Sequence, residues 1–193
     1  MNKLIFISIL FLLNACATYS FVEKEEKVEV NNLYAFKSKL ALSEIRMTQG
    51  SKLRVFTNNG QGLESFFFST DVYPGTPLSK ISGKEIKKYR KDMNNIDFVE
   101  FITSSLVDYG MINGKLVDVS EVNTDVGKFR RFYVSFQDTT EGLNYKSIID
   151  RHENQEILRV HGFIAPEKFY YDKYIAYYNY MVENLMDCFF NLF

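Results

Sequence analysis

Phe129-Arg130-Arg131-Phe132-Tyr133-Val134-Ser135-Phe136 is the stretch on which the fold of this chain turns. Arg130, Phe132, Val134 and Phe136 alternate with Phe129, Arg131, Tyr133 and Ser135, the period of two that marks a strand with two unlike faces. Arg130 and Arg131 therefore point to opposite sides and form no common basic patch. Downstream, Asp138-Thr139-Thr140-Glu141-Gly142 supplies turn residues before a second strand over 144–151. His152-Glu153-Asn154-Gln155 then turns into a third strand over 157–164. Three strands joined by short turns predict an antiparallel meander.

Upstream, Asn113-Gly114 predicts a tight turn before a strand over 116–122. Before that the period becomes helical from Asn95. Ile96, Val99, Ile102 and Leu106 recur on one face, with Phe98 and Phe101 beside it. Asn94 or Asn95 suits the N-cap, Asp97 the first turn, and Gly110 the end. Earlier strands are predicted over 34–42, 52–57 and 63–69, with Asn58-Asn59-Gly60-Gln61-Gly62 as a turn. Tyr73-Pro74-Gly75-Thr76-Pro77 reads as a loop. At the other end, Pro166 starts a closing helix, where Tyr171, Tyr174, Ile175, Tyr178, Val182 and Leu185 make an apolar stripe. The order is strands, helix, meander, helix. It predicts an α+β fold, an antiparallel sheet covered by helices.

The meander and the Phe163-Ile164-Ala165-Pro166 junction resemble the C-terminal half of Mog1/PsbP-like domains. The resemblance covers the last third of the chain. It implies a Mog1/PsbP-like sandwich, and because that class consists mostly of accessory or assembly factors, it implies a non-catalytic role.

The composition excludes several classes. With 24 Asp+Glu against 23 Lys+Arg the net charge is −1, which argues against a nucleic-acid binder. Hydrophobic residues at 46% and aromatic ones at 16% are enough to build a core in 193 residues, so the chain is not a disordered one. Two Cys and two His are too few for a Cys/His zinc site or a disulfide scaffold.

The first residues carry a separate message. Met1-Asn2-Lys3 is a basic start, and residues 4–13 are apolar except for Ser8. Ten helical residues span about 15 Å, half the hydrocarbon core, so this is a signal peptide rather than a membrane span. Leu13-Asn14-Ala15-Cys16 follows, and it resembles the lipobox of bacterial lipoproteins. The resemblance implies signal peptidase II cleavage between Ala15 and Cys16 and diacylglycerol on the Cys16 sulfur. An ordinary signal peptide cut near Asn14-Ala15-Cys16-Ala17 is the competing reading. Ala17, where lipoproteins retained in the inner membrane carry Asp, points to the outer membrane if the cell is Gram-negative. The expected organisation is a signal peptide over 1–15, a lipidated cysteine and flexible tether over 16–32, and one α+β domain over 33–193. The tether reading rests on Glu23, Lys24, Glu25, Glu26, Lys27 and Glu29, a charge-rich stretch whose flexible reach would be roughly 20–24 Å.

Chemistry-bearing motifs are scarce. There is no G-x-S-x-G, S-x-x-K or H-E-x-x-H. His152 is expected in a hairpin turn and His161 on a strand face, and no carboxylate partner is selected by spacing. Gly60-Gln61-Gly62 lacks the Lys-Ser/Thr pair of a phosphate loop. Lys84, Lys87, Lys88, Arg90 and Lys91 cluster, diluted by Glu85 and Asp92, and read as a solvated surface. Cys188 has no intramolecular partner once Cys16 is acylated, and reads as a small apolar residue.

No metal, no cofactor and no catalytic residue are therefore expected. The expected function is a membrane-anchored accessory or protein-interaction module with an unidentified envelope partner. The alternative is a small-ligand carrier or lipid-anchored hydrolase whose site the sequence does not reveal. From Phe163 onward, eleven of 31 residues are aromatic, more than one buried stripe uses. On a helical wheel Tyr170 and Tyr177 project away from that stripe and Tyr180 lies at its edge, so these three are the candidate interaction surface, unless loops or the sheet edge cover them.

Overall fold

A computed structural model describes residues 19–31, 34–47, 49–60, 62–79, 86–139, 142–154 and 156–187. The alternation over 129–136 does separate two faces. β8 (Gly127–Asp138) sends Phe132, Val134 and Phe136 into one core and Phe129 into another, where Tyr133 also packs. It pairs antiparallel with β9 (Asn144–Asn154), which pairs antiparallel with β10 (Ile157–Pro166), giving the predicted meander. β7 (Met111–Thr124) adds a fourth antiparallel strand outside β8.

On its other side β10 joins β6 (Ser65–Ser69), followed by β5 (Leu53–Thr57), β4 (Leu42–Ile45) and β1 (Tyr19–Val22). The result is an eight-stranded antiparallel sheet in the order β1-β4-β5-β6-β10-β9-β8-β7. A second, three-stranded sheet runs β11-β3-β2, from β11 (Met186–Asp187), β3 (Tyr34–Lys37) and β2 (Lys27–Glu29).

One face of the large sheet is covered by α1 (Asn95–Leu106), which buries Phe98, Val99, Phe101, Ile102 and Leu106. Asn94 caps it: its Oδ1 accepts from the N–H groups of Ile96 and Asp97, and the Asp97 carboxylate accepts from the Asn94 N–H. Such a capping box contributes about 1 kcal/mol by satisfying otherwise orphaned donors. A 3₁₀ turn, Val107–Tyr109, follows, and Gly110 closes it at φ 78°. The opposite face carries α2 (Tyr170–Glu183) and packs against residues of the small sheet. The α+β expectation stands.

Several local expectations change. Residues 19–31 are no flexible tether: β1 pairs with β4, β2 pairs with β3, and Val22, Val28 and Val30 are buried. The charges of this stretch alternate outward while the valines alternate inward. The expected strand over 34–42 is two strands, one in each sheet. Asn113-Gly114 is no terminal turn but an irregularity inside β7, with Asn113 at φ 54° and the register shifting between Ile112 and Lys115. A Cβ on Gly114 would stand 2.1 Å from Thr103 Oγ1, so glycine there lets β7 approach α1. Ile96, expected in the apolar stripe, is 56% exposed. Pro166 ends β10 rather than starting α2. The signal peptide, Ala15 and Cys16 lie outside the described residues, as do Lys84 and Cys188.

Candidate functional site

The two histidines come together on the α2 side of the sheet, through the pairing of β9 with β10. Asp150 of β9 stands opposite His161 of β10, and Arg131 of β8 stands opposite Asp150. Three adjacent strands thus place three polar groups in one row on a face otherwise built of aromatics. Arg131 grips Asp150 with two hydrogen bonds of 2.7 Å and reaches Asn179 Oδ1 on α2 at 3.0 Å. The Tyr178 hydroxyl donates to Asp150 Oδ2 at 2.8 Å, and His161 Nδ1 lies 3.1 Å from the same hydroxyl. Because the hydroxyl proton goes to Asp150, the phenol oxygen accepts from Nδ1–H, which leaves Nε2 as the unprotonated nitrogen.

Burial pushes the His161 pKa down to about 4, against the pull of Asp150, so this imidazole is neutral at pH 7. Burial, reinforced by Asp150, raises the Tyr178 phenol well above its ordinary value. His161 Nε2 is buried and makes no hydrogen bond. The residue borders a cavity of about 70 Å³ together with His152, Tyr34 and Arg159. That volume is far below the several hundred Å³ of a small-molecule site. Among the described residues Nε2 has no hydrogen-bond partner, so the row shows no nucleophile–base contact there. Its chemistry is that of a buried, hydrogen-bonded tie between sheet and helix. His152 lies within β9, opposite Arg159, rather than in the hairpin turn.

The tyrosine surface is only partly exposed. Tyr170 and Tyr177 are half-buried and pack against the α2-side core. Tyr170, Tyr174 and Tyr177 form a ladder along α2 with ring centroids 6.3 and 5.9 Å apart. Phe169, 69% exposed, stands edge-on to Tyr170 at its end. Tyr180 is half-exposed: its hydroxyl donates to Glu25 and Lys39 covers its ring. The basic cluster is partly neutralised, since Lys87 pairs with Glu100, and Arg90 with Asp92 and Asp97.

A larger cavity lies on the α1 side, at the end of the sheet where the β5–β6 and β8–β9 connections meet the 3₁₀ turn. It has about 470 Å³, within the size of small-ligand sites. Val55, Phe67, Leu106, Met111, Tyr145 and Ile164 supply apolar walls, and Gly62, Glu64 and Asp138 also border it. Glu64 is 1% exposed. It organises the β5–β6 turn by accepting from Thr57 Oγ1 and from the N–H groups of Asn58 and Asn59 at 3.1, 2.6 and 2.7 Å. Neither Glu64 nor this cavity is evident from spacing. The only sequence signal is a lone acid between Leu63 and Ser65, directly after a glycine turn.

Among the described residues, no group of three or more His, Cys, Asp or Glu is placed to hold a metal, and no helix is long and apolar enough to cross a membrane. No family model matches the chain, and no curated protein matches it in sequence. In structure it is similar to cyanobacterial PsbP (CyanoP) from Synechocystis sp. PCC 6803. The TM-score is 0.53 at 9% identity, over 90% of this chain and 94% of that one. The PsbP-like likeness therefore spans nearly the whole chain, not just its last third. At this identity it establishes the fold. A protein of Bacteroides thetaiotaomicron VPI-5482 aligns with a TM-score of 0.45 and 15% identity, over 84% of this chain and 48% of that one.

Proposed function

We propose that this protein is a lipid-anchored envelope lipoprotein with a PsbP-like domain that serves as a non-catalytic accessory or protein-interaction module. The observation that carries the reading is Leu13-Asn14-Ala15-Cys16 at the end of an apolar run too short to span a membrane. Two or three acyl chains, at about 0.8 kcal/mol per buried methylene, hold a protein firmly at a bilayer. The fold supports the accessory role through the resemblance to Mog1/PsbP-like domains. So does the buried His161 row, which adjoins a cavity of only about 70 Å³.

The start of β1 alters the picture of the anchor. Only Ala17 and Thr18 stand between Cys16 and Tyr19, three Cα steps with a reach of at most about 11 Å. An acylated Cys16 would hold the sheet edge close to the headgroups, with no long spacer. The partner of such a module would be another envelope component at the same surface.

Metabolic labelling with an alkyne fatty acid tests the anchor. The wild type should carry the label and Cys16→Ser should not, and equal labelling of both would overturn the reading. Crosslinking in intact cells then tests the interaction role. A specific captured envelope protein, lost when Phe169 and Tyr177 are replaced by Ser without a fall in melting temperature, is the expected result. Capture unaffected by that variant would remove the tyrosine ladder as the contact face.

A further inference from the structure

The α1-side cavity, at about 470 Å³, is roughly three times the ~150 Å³ space that holds a benzene ring. Val55, Phe67, Leu106, Met111, Tyr145 and Ile164 wall it, and each is more than nine-tenths buried. They come from β5, β6, α1, β7, β9 and β10 in turn, so the packing of the sheet and helix sets the space, not one loop.

The polar groups at the border are held by neighbours. Glu64, 1% exposed, accepts from Thr57, Asn58 and Asn59, and Asn59 carries that network on to Tyr174 on the α2 side. Tyr145 Oη donates to Gly62 O at 2.8 Å. The Asp138 carboxylate lies against Gly110, where a Cβ would stand 2.7 Å from Oδ1. What the walls offer a ligand is hydrocarbon contact, which is non-directional and selects apolar bulk over charge.

At the rim the apolar surface continues outward. Leu63, 36% exposed, stands between Gly62 and Glu64, both of which border the cavity. Leu143, 43% exposed, accepts through its carbonyl from the N–H of Asp138 at 2.9 Å. The Tyr145–Gly62 hydrogen bond draws these two connections together, so both leucines lie beside the lining. A compact polar ligand gains nothing from such a rim. A tail running out of the cavity passes over it before its head reaches water.

We propose that this cavity binds the apolar tail of a single-chain amphiphile, with the tail against Val55, Leu106, Met111 and Ile164 and the polar head outside the leucine rim. The site depends neither on the lipid anchor nor on the tyrosine ladder, which lies on the opposite face of the sheet.

Normal alkanols from hexanol to decanol test it, titrated into the chain from residue 16 with Cys16→Ser, which keeps every described element and carries no acyl group. Methyl NMR should show shifts at Val55, Leu106, Met111 and Ile164, and affinity should rise about fourfold per added methylene. Decylammonium and decanoate should bind within tenfold of one another, because the head stays in solvent. Ser65 lies on the same face of β6 as Phe67 and borders the cavity, so Ser65→Phe fills it and should weaken decanol at least tenfold while the domain stays folded. Leu63→Ser with Leu143→Ser, at two exposed positions, is the arm that does not disturb the core, and it should weaken decanol at least threefold. Affinity independent of chain length, shifts confined to the α2 face, or a charge preference above tenfold would overturn the proposal. Undiminished decanol binding in folded Ser65→Phe, or in the rim variant, would overturn it as well.

Discussion

The two faces of the eight-stranded sheet are built from alternate residues of the same strands, yet they are held by different physics. The α1 face is mostly apolar, with Phe98, Phe101 and Ile102 of the helix meeting Phe132, Val134, Phe136 and Ile149 of the sheet, and its buried charge, Arg151 over the Phe98 ring and paired with Glu153, lies at one end of the helix. The α2 face is equally aromatic, but through it runs the row Arg131–Asp150–Tyr178–His161. Apolar contact is non-directional and tolerates a neighbour of similar size. A buried ion pair with satisfied hydrogen bonds accepts one geometry and penalises the loss of either partner. The first face therefore supplies bulk stability, while the second fixes the position of α2 on the sheet. The open cavity also falls on the tolerant side, where a gap costs dispersion and not an unpaired charge.

Conservative replacements should expose the contrast most strongly. Asp150→Asn leaves Arg131, whose side chain is only 9% exposed, without its counter-charge and should cost about 3–5 kcal/mol in urea unfolding. Ile102→Leu on the other face keeps the apolar volume and should cost under about 1.5 kcal/mol. Equal losses would erase the distinction between the faces.

The second effect is pH-dependent. The folded His161 pKa is depressed to about 4 from 6.5, so the unfolded chain binds its proton first. Stability should then fall as pH drops from about 6.5 toward 4, and this residue's share at full development is about 3 kcal/mol. Chemical denaturation across that window should show a shallower pH dependence for His161→Gln than for the wild type. Identical slopes would mean that the imidazole is not held neutral by the fold.

Smaller still, Tyr178→Phe keeps the ring packing and removes only the donor to Asp150. It should cost about 1.5–3 kcal/mol, the range for a hydrogen bond to a charged group, read as a drop in urea midpoint at unchanged slope. Least of all, Ile96→Ser on the outside of α1 should change stability by less than about 0.5 kcal/mol, since that side chain is 56% exposed. A larger loss would place Ile96 in the core, as its spacing suggests.

The meander, α1 with its Asn94 cap, and the stripe of α2 could be read from the chain because local rules produce them. Period-two alternation puts residues on faces, and an Asn with a following acid satisfies helix donors wherever it sits. At residues 19–31 charge content misleads: Lys27 and Glu29 suggest a solvated stretch, while the alternating Val28 and Val30 are the residues that the fold buries. Local chemistry misleads again at Asn113-Gly114, whose turn-like pair serves a bulge inside a long strand.

By itself the sequence determined the α+β class, most strand and helix positions and the sidedness of Arg130 and Arg131, because each depends on residues within a few positions of one another. Only the tertiary structure decided that Arg131, Asp150, His161 and Tyr178 meet, that Glu64 lies buried beside a cavity, and that the tyrosines of α2 are half-covered. These contacts join residues far apart in the chain, 48 positions for Arg131 with Asn179 and 155 for Tyr180 with Glu25, through strand register and helix docking. Register shifts by one residue invert every face it touches, and it is fixed by the packing of the whole sheet rather than by the spacing within any one strand.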